Sequence, residues 1–99
     1  MIQYLVAQIV ITDRSQYSNY EAGFLEIFAR FDGKMLAVDE QPKTLEGSWP
    51  FTRTVIIEFP SSEAALAWYR SDEYQALAKH RFASSHGNLV LVQGIDSPS

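Results

Sequence analysis

The segment IQYLVAQIVIT (2–12) is apolar on both of its alternating faces: Ile2, Tyr4, Val6 and Val10 on one, Leu5, Ala7, Ile9 and Ile11 on the other. Its β-branched residues and short length favour a strand, and one with both faces largely covered. Val55–Phe59 and LVLV (89–92) carry the same two-sided apolar character. Yet 99 residues make one small domain with one hydrophobic core. Two packed layers are all that such a chain can build, so helices can cover only one face of its sheet. Covering the other face is the constraint that any fold for this chain must meet.

The remaining elements follow from periodicity and caps. Asp13 or Ser15 can cap a helix whose apolar series Tyr17, Tyr20, Phe24, Ile27, Phe28, Phe31 runs at three- and four-residue spacing. Asp32-Gly33 is expected to stop it, with glycine in the left-handed C-terminal position. KMLAV (34–38) reads as a short strand, DEQPK (39–43) as a turn or edge segment, and TLEG (44–47) as a possible return to extended structure. Pro50 disfavours helical geometry at Trp49. TRTVIIEF (52–59) is the clearest strand.

Pro60-Ser61-Ser62-Glu63 opens a second helix with a serine cap and an acid at its positive end. Ala65, Trp68 and Tyr69 share a face, but continuing that stripe reaches Asp72 and Glu73. A break near Arg70-Ser71 resolves the conflict: Ser71 caps a new helix with the stripe Tyr74, Leu77, Ala78, Arg81, Phe82. Gly87 introduces a last strand (88–93). The domain is expected over 1–96, with a polar tail at 97–99.

The order β-α-β-β-α-β is the ferredoxin-like, split β-α-β arrangement of an α+β protein. The right-handed crossover rule places the helices on one face of a four-stranded antiparallel sheet. The bare face would then expose a contiguous apolar patch, unusual on a soluble monomer. A homodimer with its sheets packed face to face answers the constraint economically. Each subunit would keep a pocket between sheet and helices.

The chain also resembles a widespread bacterial family, domain of unknown function 1330, in the dimeric α+β barrel superfamily. YSNYEAGF (17–24), LEGSWPFTRTVIIEFPSSEAALAWYRSDEYQALAKHR (45–81) and LVLVQG (89–94) carry the resemblance. Matching positions are Tyr17 and Tyr20; Gly33; Leu45, Glu46, Gly47 and Trp49; Arg53; Phe59, Pro60 and Ser61; Trp68, Tyr69, Ser71 and Tyr74; and Arg81. Relatives often carry an Arg-Gly-Gly-like segment after the second strand, where this chain has VDEQPK (38–43), so any contact made by that loop differs here. The resemblance implies the dimeric barrel fold and no established activity. Monooxygenases and isomerases acting on small molecules share the fold, an analogy that says little about chemistry.

Composition narrows the function. A formal charge of −4 disfavours nucleic-acid partners, which need a basic surface, and the sequence lacks the RNA-binding aromatics of ferredoxin-like RNA binders. With no cysteine there is no disulfide, thiolate metal site or Cys nucleophile. The apolar N-terminal segment lacks a basic flank and a cleavage site and is too short to span a bilayer, so a cytoplasmic protein free of membranes is expected. No cofactor or metal is expected either. His80 and His86 share no helical face, and Ser84-Ser85-His86 lacks the strand-turn-helix elbow of a hydrolase nucleophile.

Arg53 and Arg81 are the leading candidates to bind a ligand. Arg81 falls on an apolar helical stripe, where a cation is unexpected without a carboxylate or a bound anion. The bland alternative is an ion pair with Glu46, Glu58 or a helix acid. Glu58, inside VIIEFP, would be a general acid or base if it faced the pocket, with His80 as a second proton carrier. Trp49, Tyr20 and Tyr74, with Tyr17 and Trp68, could line the pocket, although aromatics at helical spacing are commonly core. A small organic acid held by the arginines is therefore the expected ligand, either turned over without a cofactor or simply bound.

Overall fold

The computed structural model describes residues 1–95; the tail expected at 97–99, and residue 96 before it, lie outside them. Seven elements follow in order: β1 (Gln3–Ile11), α1 (Arg14–Phe28), β2 (Lys34–Asp39), β3 (Arg53–Phe59), α2 (Ser62–Tyr69), α3 (Asp72–Ser84) and β4 (Ser85–Gln93). The strands form one antiparallel sheet in the order β2-β3-β1-β4, so β3 inserts between β1 and β2 as the split β-α-β arrangement requires. No described helix is long and apolar enough to cross a membrane.

Strand alternation sorts the sheet into two faces. Leu5, Ala7 and Ile9 of β1 and Val55, Ile57 and Phe59 of β3 are buried under the helices, joined by Leu89 and Leu91 of β4. Tyr4, Val6, Val10, Ile56, Val90 and Val92 fall on the opposite parity and are half-buried or exposed. The two-sided apolar pattern thus becomes one packed face and one open face.

Polar caps fix the helix limits. The carboxylate of Asp13 accepts the Gln16 backbone N–H at 3.1 Å, so α1 is capped by Asp13 rather than Ser15. Ser61 caps α2 through Ala64, and Ser71 caps α3 through Tyr74 at 3.2 Å. The expected break therefore falls at Arg70-Ser71, and Asp72 and Glu73 occupy the favourable first turn of α3.

The structure corrects four expectations. Helix α1 ends at Phe28 with Ala29 as its cap in right-handed geometry, so Gly33 does not terminate it. The only described residue with positive φ is Gly47, at 75°. Gly33 is required for space: a Cβ there would lie 2.5 Å from the Phe28 ring and 2.7 Å from Phe59. Residues 44–47 form no strand, and β4 begins at Ser85, placing Gly87 inside it opposite Ile9. Phe82, expected on the buried stripe of α3, is 55% exposed, because the buried line of α3 runs through Tyr74, Ala78, Arg81 and Ser84 and Phe82 falls beside it.

Gly33→Ala is accordingly expected to destabilise the fold by about 1–3 kcal/mol, the usual range for forcing extra volume into a packed core. Urea unfolding would measure it, and an unchanged midpoint would refute the ring-packing role of Gly33.

Candidate functional site

The apolar face of the sheet and the helices above it do not fill the space between them. A cavity of about 260 Å³ remains, floored by β1 and β3 side chains such as Ala7, Ile9, Val55 and Ile57. Tyr17, Tyr20, Glu21 and Phe24 of α1 and Trp68, Tyr74 and Arg81 of α2 and α3 line it from above, and Arg53 reaches it from the start of β3. At interior packing density this is room for about a dozen non-hydrogen atoms.

Why Arg53 faces inward is a matter of parity. It shares the register of Val55, Ile57 and Phe59, and its guanidinium lies 5.7 Å from the centre of the Tyr17 ring. Its charge is already matched: Nη1 donates to Glu40 at 2.9 Å and lies 3.3 Å from Glu21. Glu40 also takes a bidentate pair from Arg14 at 2.9 and 3.0 Å. The hydrogen bond from Arg14, followed by that from Arg53, holds the Glu40 carboxyl below its ordinary range. Arg53 therefore pairs with a helix acid, as the bland alternative anticipated, and with Glu40 from the divergent VDEQPK segment.

Arg81 differs. It is only 5% exposed, and no carboxylate among the described residues lies within ion-pair distance of it. Its guanidinium sits 5.9 Å from the Tyr20 ring centre and 4.8 Å from that of Phe82, cation–π contacts that offset part of its desolvation. Among the described residues, two buried side-chain polar atoms have no hydrogen-bond partner: Arg81 Nε and Trp68 Nε1. Both are donors, and both residues line the same cavity. Unpaired buried donors are rare because each carries its full desolvation cost.

Tyr20 and Tyr74 complete this wall. Their hydroxyls are 2.8 Å apart, so one hydrogen is spent between them and the other remains to be donated. Burial first, and then the neighbouring Tyr74, push the Tyr20 phenol far above its ordinary range, so it stays protonated at neutral pH. The pair can donate a hydrogen bond, and Tyr20 is a poor general base.

The other expected site residues lie elsewhere. Glu58 pairs with Tyr4 and Lys34 in register and alternates against Ile57 and Phe59, which puts it on the open face of the sheet rather than in the cavity. The acid–base reading of Glu58 required the opposite parity. His80 packs toward α1, its Nδ1 3.2 Å from the Gln16 side-chain amide, and does not line the cavity. Trp49 donates its indole N–H to Thr54 Oγ1 at 2.9 Å and packs on Phe51, over the open face instead of at the pocket lip. In Ser84-Ser85-His86, the Ser84 hydroxyl donates to the His80 carbonyl and that of Ser85 to the Arg81 carbonyl, both at 2.6 Å. Those hydroxyls finish a helix.

Glu21 and Glu40 were missed as members of the site. Glu21 was detectable, because it stands four residues after Tyr17 and so on the same helical face. Glu40 was not, since its role depends on how a loop meets two arginines from separate elements.

The family model of a domain of unknown function, DUF1330, matches residues 3–95. The chain belongs to this family. No curated protein matches its sequence. Among solved structures, a protein of unknown function from Rhodopseudomonas palustris is 18% identical, with a TM-score of 0.80 over 97% of this chain and 84% of that one. SnoaB, a cofactor-independent oxygenase from Streptomyces nogalater, is 12% identical, with a TM-score of 0.70 over 98% and 96%. HapK from Hahella chejuensis is also 12% identical, at 0.63 over 98% and 96%. At these identities the likeness establishes the ferredoxin-like α+β fold for this DUF1330 chain, and nothing of its chemistry.

Replacing Arg81 with an apolar residue of similar length tests whether it is structural. A buried charge with no carboxylate partner contributes little to folding, so Arg81→Met is expected to be neutral or to stabilise the ligand-free protein, within about 0–4 kcal/mol. Loss of about 3–5 kcal/mol in thermal or urea unfolding would instead reveal a structural partner for Arg81.

Proposed function

We propose that this DUF1330 protein binds a small, largely apolar carboxylic acid in the cavity between sheet and helices. The carboxylate meets Arg81, the free Tyr20–Tyr74 hydroxyl hydrogen and the Trp68 indole, while the hydrocarbon part lies on the sheet. The observation that carries this reading is that two residues with unpartnered buried donors, Arg81 (Nε) and Trp68 (Nε1), line one apolar cavity. An anion supplies the acceptors that both lack, and charge-assisted hydrogen bonds are the strong ones. The size and apolar walls suit a compact ligand, slightly below the range usual for drug-sized molecules.

Binding is favoured over acid–base turnover by what surrounds the ligand position. Glu58 and His80 lie outside the cavity, Glu21 is engaged by Arg53, and burial keeps Tyr20 protonated. Cofactor-independent oxidation of the bound acid is a second reading, favoured by the fold shared with SnoaB.

Calorimetry with octanoate and phenylacetate as probes tests the site. Wild type is expected to bind at least one of them, and Arg81→Ala to weaken binding by about tenfold or more, the value of a charged hydrogen bond. Equal affinity in wild type and variant would remove Arg81 from the site. Oxygen consumption by wild type with a bound acid would favour the oxidative reading, and its absence the binding one.

We further propose that two copies pair through the open sheet face. Val90 and Val92 are 54% and 46% exposed on it, beside Tyr4, Val6 and Ile56, an apolar surface atypical of a monomer. Light scattering is expected to give twice the chain mass for wild type and a shift to the chain mass for Val90→Asp. A wild-type monomer at micromolar concentration would rule this pairing out.

A further inference from the structure

Two arginines line the cavity, but only one of them is electrostatically free. Around Arg53 the charges balance, two arginines (Arg14 and Arg53) facing two glutamates (Glu21 and Glu40). Arg53 is 17% exposed at its side chain, whereas Glu21 and Glu40 are more than a third exposed, so the carboxylates close the ion chain from the solvent side. Arg81 adds one positive charge with no carboxylate beside it among the described residues. Tyr17 and Tyr20, with ring centres 5.4 Å apart, separate the two guanidinium groups, one lying over each ring.

From this asymmetry we infer that the pocket selects acids carrying a single negative charge, and that Glu21 and Glu40 set that limit. The inference rests on the acid-binding reading above and specifies its ligand class: one carboxylate, an apolar body, and a far end that is uncharged. A first carboxylate neutralises Arg81. A second one at the far end would approach Arg53 with Glu21 and Glu40 already on it, and like charges held close against apolar walls repel strongly. To bind there, it would have to displace a glutamate from its arginine. Glu40 resists, because Arg14 holds it bidentately in addition to Arg53 and keeps it ionised. A hydroxyl or carbonyl faces no such penalty, since the Arg53–Glu21 pair offers both a donor and an acceptor.

Matched acids of equal carbon framework test this at neutral pH: octanoate against octanedioate, and 4-ethylphenylacetate against 1,4-phenylenediacetate, by calorimetry. Wild type is expected to bind each monoacid about tenfold or more tightly than its diacid, as one unfavourable desolvated charge contact predicts. In Glu21→Gln/Glu40→Gln the ratio should fall toward one, because Arg53 becomes available to the second carboxylate. Glu21→Gln alone gives the same direction with a smaller shift, should the double variant not fold. Equal binding of mono- and diacid by wild type overturns the charge limit while leaving an acid site at Arg81 intact. An unchanged ratio in a folded double variant overturns the assignment to Glu21 and Glu40. If no probe binds wild type at millimolar concentration, the acid-binding reading falls, and this inference with it.

Discussion

Trp68 holds the two layers of this protein together. Its indole meets Phe24 at 6.1 Å and Phe28 at 5.9 Å from α1, both nearly edge-on, and also Phe59 at 5.7 Å from β3 and Tyr74 at 4.3 Å from α3. One side chain thus touches the sheet and both of the other helices. Aromatic pairs of this kind contribute beyond simple area burial, by about 0.5–1.5 kcal/mol each. Phe28 and Phe59 then close around Gly33, which has no side chain because there is no room for one. With the layers pinned at this aromatic end, the space toward Arg53 and Arg81 stays open without the sheet and helices collapsing onto it.

Much of this architecture follows from pattern alone. The acids at 72 and 73 could not extend an apolar stripe, and that conflict located the break at Ser71. Two-sided apolar strands located the open sheet face. What pattern could not supply was the distance between side chains from separate elements. Gly33 looks like a helix stop in sequence, and only the meeting of two phenylalanine rings explains it. Glu40 looks like a turn residue until Arg14 and Arg53 close on it from α1 and β3.

Glu58 differs in kind from Gly33 and Glu40. Its position was legible, because Arg53, Val55, Ile57 and Phe59 are odd and Glu58 is even. A strand period of two places it across the sheet from the candidate cation. Trp49 follows the same parity from a loop, where a hydrogen bond to outward-facing Thr54 decides which side of the sheet the indole covers.

The difference between the two arginines sharpens what the cavity is for. Arg53 sits in a balanced ion network that ties α1 to the edge of the sheet, and such a network needs no ligand to account for it. Arg81 has no such ion pair among the described residues, only its aromatic neighbours. It lies on the line of Tyr74 and Ala78, in a position where leucine or methionine would pack without any desolvation cost. Folding alone does not favour a buried guanidinium there. A ligand that binds only the folded protein would offset the cost by mass action, stabilising the protein in proportion to the logarithm of its concentration. On that argument the cation at 81 would lower the cost of binding an anion, because its desolvation has already occurred before any ligand arrives.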